Sequence, residues 1–201
     1  MYVLCSDLEG VWVPEVWVNV AKKTGIEELK LTTRDINDYD VLMKRRLKIL
    51  KEYNLKLKDI QNVISNIDLL EGAREALDRI RSKAQIIIVS DTFIEFADPF
   101  MEKLGRPLLM CHSLTVDAAG NIIDYNLRQK DSKRHIVEAL QKLNYKVIAF
   151  GDSYNDVSMM KAAEYGILFR PPQNVINDCP QFPVVTEYPE LNKLIETYLN
   201  T

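Results

Sequence analysis

Four short polar segments of this chain combine carboxylates, a hydroxyl and an ammonium group. The segments are Asp7–Gly10, Ser90–Thr92, Lys133 and Gly151–Asp156. All but Lys133 directly follow an apolar run that is typical of a buried parallel strand. Because the carboxyl ends of parallel strands meet at one edge of an open sheet, we expect these groups to lie together. Such a mixture of groups suits a phosphoryl group and a divalent cation.

Each polar residue type has a chemical use in such a site. A carboxylate that attacks phosphorus needs a nearby cation to reduce the repulsion between two anions, and Asp7 and Asp152 offer the oxygen ligands that Mg²⁺ prefers. Glu9 follows Asp7 by two residues, so its carboxyl or its backbone carbonyl can serve as a ligand or in proton transfer. Ser90 with the backbone amides after it, and the positive charge of Lys133, are suited to phosphoryl oxygens.

The elements around these segments predict an α/β fold, a Rossmann-like doubly wound parallel sheet. Strands are predicted at 2–6, 85–90, 146–150 and 166–169, and helices at about 14–25, 38–53, 57–67, 73–83, 93–104, 131–143 and 189–199. Partial alternation over 113–127 around a turn favours a β-hairpin beside the main sheet. Residues 14–70 contain only helical patterns. We therefore expect an α/β core of residues 1–13 and 71–201 with a helical cap of residues 14–70 inserted after the first strand.

Composition excludes several classes of protein. The 201 residues fit one domain with a modest insertion, and a net charge of −3 gives no general attraction for nucleic acid or anionic lipid. No run approaches the ~18 apolar residues of a membrane span, and no basic stretch precedes an apolar one at the N-terminus. The cysteines Cys5, Cys111 and Cys179 fit neither a disulfide framework nor a zinc spacing. We expect a cytoplasmic protein in which Cys5 is a buried structural thiol.

The order of the motifs resembles that of the haloacid dehalogenase-like phosphohydrolases over about residues 3–170. The motifs are Asp7-x-Glu9-Gly10-Val11, Ser90, Lys133 and Gly151-Asp152-x-x-Asn155-Asp156. With a helical insertion after the first motif, the chain is similar in particular to the phosphoserine phosphatases. It most resembles the group that is both phosphoserine phosphatase and homoserine phosphotransferase in bacterial threonine metabolism. The resemblance implies phosphoserine as substrate, homoserine as a second acceptor, Mg²⁺ as cofactor and a place in amino-acid biosynthesis.

The same resemblance implies a role for each matching residue. Asp7 would be the nucleophile that forms an aspartyl-phosphate, and Glu9 would be the general acid and base. Mg²⁺ would lie among Asp7, Glu9 and Asp152. Phosphate contacts would come from Ser90, Asp91 and Lys133, and substrate contacts from Glu15, Arg46 and Asn155.

Two of these assignments depend strongly on the resemblance. In the related phosphoserine phosphatases an acid of the cap binds the substrate ammonium and an arginine binds its carboxylate, and the matching residues here are Glu15 and Arg46. Considered alone, Glu15 is typical of a first-turn partner for a helix dipole, and Arg46 is typical of a solvated residue on a basic helix.

Glu9 departs from the pattern of the resemblance, because most of these phosphohydrolases have Asp at this position. The extra methylene moves the carboxyl by roughly 1 Å or more, which is enough to alter proton delivery to a leaving group or to water. Our hypothesis is that a longer-lived aspartyl-phosphate lets the homoserine hydroxyl compete with water.

Several alternatives remain open from the sequence. The substrate could be another small phosphomonoester, such as a sugar phosphate or a salvage-pathway enol phosphate, or the chain could be a catalytically silent binding module. Trp12 and Trp17 are predicted to pack between cap and sheet, with pocket lining or contact in a homodimer as the alternative. His112 is interpreted as a structural strand-end residue and His135 as a helix-surface residue.

Overall fold

Seven strands form one sheet in this computed structural model, which describes residues 1–32, 35, 36 and 38–201. The strands are β1 (Tyr2–Ser6), β2 (Gln85–Phe93), β3 (Leu108–Val116), β4 (Ile122–Asn126), β5 (Lys146–Gly151), β6 (Tyr165–Phe169) and β7 (Val184–Val185). Their order is β4-β3-β2-β1-β5-β6-β7, in which β4 is antiparallel to β3 and all other neighbours are parallel. The predicted α/β fold with a mostly parallel sheet is therefore confirmed.

Helices cover both faces of this sheet. They are α1 (Val16–Thr24), α2 (Tyr39–Glu52), α3 (Leu57–Ser65), α4 (Ala73–Arg81), α5 (Ile94–Lys103), α6 (Ser132–Lys142), α7 (Tyr154–Ala162), α8 (Gln173–Asp178) and α9 (Tyr188–Leu199). Successive residues of β1 point to opposite faces. Leu4 lies in an apolar cluster with Leu77 of α4 and Phe96 of α5, whereas Cys5 lies in one with Val137 of α6 and Met159 of α7. The sheet is thus doubly wound.

The strand that carries Ser90 is longer than the sequence predicted. β2 continues to Phe93 instead of ending at Ser90. Val89 pairs with Met110 and Phe93 pairs with His112, so β2 has two more residues than β3 over this stretch. This irregularity in the ladder, a bulge, frees residues 90–92 from regular pairing and lets them shape the edge of the sheet.

The predicted hairpin exists, but it is part of the main sheet and does not lie beside it. Its first strand, β3, pairs in parallel with β2 from Leu108 onward and then continues into antiparallel pairing with β4. The sequence prediction had placed only residues 113–127 in the hairpin. Because β3 spans both pairings, the hairpin forms the extended edge of the sheet.

A helical insertion, defined here as residues 14–70, separates β1 from α4. Its described residues contain α1, a 3₁₀ helix at Glu27–Lys30, α2 and α3, and no strand. The backbone N–H of Leu70 donates to the carbonyl of Trp12 at 3.0 Å, so the chain leaves and re-enters the sheet region at one place. The N–H of Leu57 donates to the carbonyl of Gly120 at 3.0 Å, which joins the insertion to the hairpin turn.

Trp12 is a core residue, as predicted. It is fully buried, its Nε1 donates to Ser6 Oγ at 2.9 Å, and its ring stacks on Tyr188 with centroids 5.8 Å apart.

Among the helices of the described residues, none is long and apolar enough to span a membrane. The sequence patterns did not predict the 3₁₀ helix, β7 or α8, which have four, two and six residues.

Candidate active site

A buried lysine joins carboxylates from three parts of the sheet edge. Lys133 lies in the first turn of α6, and its Nζ is 2.9 Å from Asp7 Oδ2 after β1 and 2.7 Å from Asp156 Oδ1 in α7. Asp91 Oδ2, from the irregular part of β2, is 3.8 Å away. Lys133, Asp7 and Asp156 are all buried. The structure therefore brings together groups that the sequence separates by more than a hundred residues.

Three acids of this centre form a compact group. Oxygens of Asp7, Asp152 and Asp156 all lie within 4.8 Å of one another. Asp156 is already engaged, because its Oδ2 accepts the backbone N–H groups of Asp152 at 3.1 Å and Ser153 at 3.2 Å. Asp156 belongs to the last motif of the sequence, but no role in the site was predicted for it. The other carboxylate oxygen of Asp156, Oδ1, accepts a hydrogen bond from Lys133 Nζ at 2.7 Å.

Two glycines let backbone approach these acids closely. A Cβ on Gly151 would lie 2.2 Å from Asp156 Cγ, and a Cβ on Gly10 would lie 2.5 Å from Asp152 Cγ. Gly10 also has a φ of +76°, in the left-handed region that favours glycine. The loop after β1 thus packs directly on the carboxylate of Asp152.

The group of three acids has more negative charge than Lys133 can balance. Burial and the neighbouring charges of Asp156 and Asp152 raise the pKa of Asp7 well above its ordinary value, although Lys133 opposes this. Burial alone would lower the pKa of Lys133, but Asp156, Asp7 and Asp91 together raise it. The three carboxylates of Asp7, Asp152 and Asp156 have only one ammonium group, that of Lys133, beside them. They fit a hard divalent cation such as Mg²⁺, because such a cation prefers oxygen ligands and offsets the repulsion between the carboxylates.

Glu9 directs its carboxyl toward the helical insertion. Its Oε2 accepts the backbone N–H of Val16 at 2.8 Å, at the start of α1. Burial and the charge of Glu15 raise the pKa of Glu9 to about 8, while the bond from Val16 and the charge of Arg46 act in the opposite direction. The carboxyl of Glu9 is not in the group of three acids, so its backbone carbonyl is the alternative for the predicted metal contact.

A cleft between the sheet edge and the insertion contains most of the predicted site residues. Its empty volume is about 590 Å³, with open solvent at its mouth included. It is lined by Asp7, Glu9, Glu15, Trp17, Thr32, Tyr39, Arg46, Ser90, Asp91, Thr92, Phe93, Asp152, Ser153 and Asn155. Lys133 lies just behind this lining, in contact with Asp7.

Arg46 is buried, contrary to what its sequence context alone suggests. Its guanidinium donates to the carbonyl of Leu31 at 2.9 Å and lies 4.6 Å from the centre of the Trp17 ring. Its Nε is buried and has no hydrogen-bond partner within the described chain. Burial lowers the pKa of Arg46 to about 10, so it remains charged near neutral pH. A buried cation with an unused donor fits an anionic ligand.

Asp91 is held by residues from several elements. Its Oδ2 accepts from Asn155 Nδ2 at 2.9 Å, its Oδ1 is 3.4 Å from His112 Nε2, and its carbonyl accepts from the Tyr39 hydroxyl at 2.9 Å. Ser90 Oγ accepts the backbone N–H of Thr92 at 3.2 Å. Neither Tyr39 nor His112 was predicted to belong to the site, because neither is part of a motif.

Other predicted residues lie where structural roles are expected. Burial raises the pKa of Cys5 to about 12, so it stays a neutral thiol. His135 is half-buried on α6 beside Arg134 and takes no part in the cleft. Trp17 both packs against Phe96 and lines the cleft, which combines the two uses considered for it.

Comparison with known proteins gives consistent matches. Residues 8–164 match the hydrolase family described as haloacid dehalogenase-like hydrolase. The phosphoserine phosphatase ThrH of Pseudomonas aeruginosa is 55% identical over 193 residues, which cover 96% of this chain and 94% of that protein. A phosphoserine phosphatase of Pseudomonas syringae pv. tomato is 56% identical over 95% of this chain and 81% of its own length. A solved structure described as a phospho-aspartyl intermediate analogue of phosphoserine phosphatase has the same fold, with a TM-score of 0.77 and 21% identity over 96% of this chain and 97% of that one.

Proposed function

This chain belongs to the haloacid dehalogenase-like hydrolase family, and from that membership we propose that it is a Mg²⁺-dependent phosphoserine phosphatase acting through Asp7. The observation that carries the proposal is one cleft that borders both the buried centre of acids and Lys133 and a buried arginine with an unused donor. The first suits a phosphoryl group and the second suits a carboxylate. Phosphoserine has both groups, and the names of the two Pseudomonas relatives agree with this substrate.

The insertion supplies the proposed contacts for the amino-acid part of the substrate. Arg46 would bind the carboxylate, and Glu15, which lines the same cleft, would bind the ammonium. Asn155 lines the opposite wall, next to the acids. A zwitterionic substrate held at both charged ends is aligned with its phosphoryl group toward Asp7, and such alignment lowers the entropy cost of the reaction.

The proposed chemistry has two displacements at phosphorus. First an oxygen of the Asp7 carboxylate, which Lys133 and a bound cation would keep ionised, bonds to phosphorus, the bond to the serine oxygen breaks, and protonated Glu9 gives that oxygen its proton. A pKa of about 8 keeps Glu9 protonated near neutral pH, as this step requires. Then water attacks phosphorus, ionised Glu9 takes the proton, and the bond to Asp7 breaks to release phosphate. Lys133 and the Ser90 loop stabilise the charge on the phosphoryl oxygens.

The residues for Mg²⁺ are proposed to be Asp7, Asp152 and Glu9, the last through its backbone carbonyl. Asp156 is in the same acid group, but its bonds to Lys133 and to two backbone N–H groups favour a supporting role. When bound, the cation offsets the repulsion between the carboxylates and the phosphoryl group.

The first experiment measures phosphate release from phosphoserine with and without Mg²⁺. Asp7→Asn should abolish turnover, because an amide cannot form the aspartyl-phosphate. Intact-protein mass spectrometry after rapid acid quench should detect one added phosphoryl group on the native chain and none on the variant. Full turnover by Asp7→Asn would refute the nucleophile. Release from sugar phosphates or enol phosphates but not from phosphoserine would refute the substrate.

The proposed role of Arg46 can be tested with a matched pair of variants. Arg46→Met should lose the preference for phosphoserine over phosphoethanolamine, which lacks the carboxylate. Arg45→Met removes the neighbouring charge, which is exposed on α2, and should keep that preference. An equal loss in both variants would show that general charge on α2 is responsible and would contradict a specific carboxylate contact.

Transfer to homoserine is the second part of the proposal, and it rests on Glu9. Formation of phosphohomoserine and of phosphate should be measured together in the presence of homoserine. Glu9→Asp should raise the ratio of hydrolysis to transfer, because the shorter side chain alters how water is activated. An unchanged ratio would remove the support that Glu9 gives to transfer.

A further inference from the structure

His112 is a buried residue outside every sequence motif, yet it faces the candidate site. It lies on β3 where the pairing with β2 is irregular. Its Nδ1 accepts the backbone N–H of Arg128 at 3.1 Å, and a ring nitrogen that accepts a hydrogen bond carries no proton. The neutral ring therefore carries its proton on Nε2, which lies 3.4 Å from Asp91 Oδ1. The backbone thus sets the tautomer whose proton-bearing nitrogen lies next to Asp91.

Each carboxylate oxygen of Asp91 has a side-chain nitrogen beside it. His112 faces one carboxylate oxygen, and Asn155 Nδ2 donates to the other at 2.9 Å. Burial alone would raise the pKa of Asp91, but the charge of Lys133 and the hydrogen bonds from His112 and Asn155 together lower it below its ordinary value. Asp91 is therefore an anion, and its carboxylate is an unsuitable partner for a phosphate group.

The position of this anion matters because of what lies beside it. Lys133 has three ammonium hydrogens; its Nζ donates to Asp156 Oδ1 at 2.7 Å and forms an ion pair with Asp7 Oδ2 at 2.9 Å, which leaves one hydrogen without a carboxylate this close. Asp91 Oδ2 stands 3.8 Å from the same nitrogen, just beyond hydrogen-bond distance. A small rotation of Asp91 would bring it onto Lys133, where it would occupy the third hydrogen and cancel the charge that attracts phosphate.

We propose that His112 is a positioning residue that, with Asn155, holds the Asp91 carboxylate away from Lys133 and so keeps the third lysine hydrogen for a phosphoryl oxygen. The inference rests on the proposed phosphoryl chemistry but not on phosphoserine as the substrate. It also changes the predicted role of Asp91 itself. Its backbone remains near the phosphoryl site, while its side chain acts as a restrained competitor of the phosphate.

The test compares variants with p-nitrophenyl phosphate, a phosphomonoester without an amino-acid part, and with inorganic phosphate as a competitive inhibitor. His112→Leu should raise both KM and the phosphate inhibition constant by about tenfold, with a smaller change in kcat, because Asp91 is released onto Lys133. His112→Gln keeps a nitrogen donor of similar reach and should stay near the native values. His135→Leu makes the same change at the histidine outside the cleft and should leave all three constants unchanged.

A second substitution separates this mechanism from a general loss of structure. In a chain with both His112→Leu and Asp91→Asn, phosphate affinity should recover, because a neutral amide does not compete for Lys133. Asp91→Asn alone should bind phosphate at least as tightly as the native chain, which tests the inference even if His112→Leu does not fold. A tenfold weaker affinity in Asp91→Asn, or no recovery in the double variant, would overturn the inference.

The tautomer gives an independent test, since the chain contains only two histidines. Imidazole ¹⁵N spectra should show His112 protonated at Nε2, with a shift of that signal in Asp91→Asn. Protonation at Nδ1 would overturn the inference. Failure of the chain to hydrolyse phosphoserine while it hydrolyses p-nitrophenyl phosphate would instead refute only the proposed substrate.

Discussion

Replacement of Gly10 by alanine is predicted to damage the site through Asp152 more than through the fold. The added Cβ would lie 2.5 Å from Asp152 Cγ, whereas ordinary contacts begin at 3.4 Å, so Asp152 must move by about 0.9 Å. A displacement of roughly 1 Å at a reacting centre can cost about 100-fold in rate. We therefore expect kcat to fall by about two orders of magnitude and the Mg²⁺ concentration for half-activation to rise.

Gly25 provides a matched control for the backbone effect. Its φ is +75°, against +76° at Gly10, and a Cβ there would meet nothing within 4 Å. Each Gly→Ala change costs about 1–2 kcal/mol for the left-handed backbone, and the lower entropy of the unfolded chain offsets about 0.4–1 kcal/mol of that. Both variants should therefore melt within a few degrees of the native protein.

The assay combines turnover of p-nitrophenyl phosphate over a range of Mg²⁺ concentrations with thermal unfolding of both variants. Gly25→Ala should keep native kcat and native Mg²⁺ activation with a slightly lower Tm. If Gly10→Ala behaves like Gly25→Ala in turnover and in Mg²⁺ activation, Asp152 either does not move or is not needed, and the reasoning about this loop is wrong.

Three further outcomes are expected. Lys133→Met leaves two buried carboxylates without their counter-charge and should lower the free energy of unfolding by about 3–5 kcal/mol, with a smaller loss at high Mg²⁺. Urea unfolding measures this loss, and an unchanged free energy of unfolding would contradict it. The pKa of Glu9 rises from 4.5 to about 8 on folding, so the stability of the native chain should fall relative to that of Glu9→Gln as pH rises through this range, and the difference should level off above it. Urea unfolding from pH 5 to pH 8.5 tests this, and the same dependence of stability on pH in both chains would refute the shift. Tyr39→Phe removes the hydrogen bond to the Asp91 carbonyl, which should cost about 0.5–1.5 kcal/mol of stability and raise KM for phosphoserine. Steady-state kinetics identical to those of the native chain would show that this hydrogen bond does not support the site.

The sequence predicted the sheet because its central strands carry strong local signals. Apolar runs of five or six residues, each followed by a polar turn, identified β1, β2 and β5 and the edge at which their ends meet. The end of β2 and the extent of β3 were wrong, because a bulge and a strand shared between two partners depend on pairing across the sheet and leave no local pattern.

The site was predictable where residues belong to motifs and unpredictable where they act through distant contacts. Asp7, Ser90 and Asp152 were expected together because each lies at a strand end, and Lys133 was added by its place in the order of motifs; the structure places all four in or beside the cleft. The burial of Arg46 depends on Trp17 and on Leu31, which no spacing along α2 reveals.

His112 illustrates the same limit in a different way. Its Nε2 lies 3.4 Å from Asp91 Oδ1 across the boundary between β3 and β2, and its tautomer is set by the backbone of Arg128. A lone histidine near a strand end is ordinarily structural, and only the three-dimensional contact with Asp91 connects it to the chemistry.

The hydrogen bond between Leu70 and Trp12 has a consequence for how such a protein can diversify. Because the polypeptide departs from the sheet and returns to it at a single junction, exchange of the segment between would leave strand order and register intact, provided that the bond from Leu57 to Gly120 and the packing of Trp17 on Phe96 are rebuilt. Glu15 and Arg46, the residues proposed to select the substrate, lie within this segment, whereas Asp7, Lys133 and Asp152, proposed for the phosphoryl chemistry, lie outside it. A chimera that carries a foreign insertion between residues 13 and 71 would retain a complete sheet and acquire a new choice of ligand.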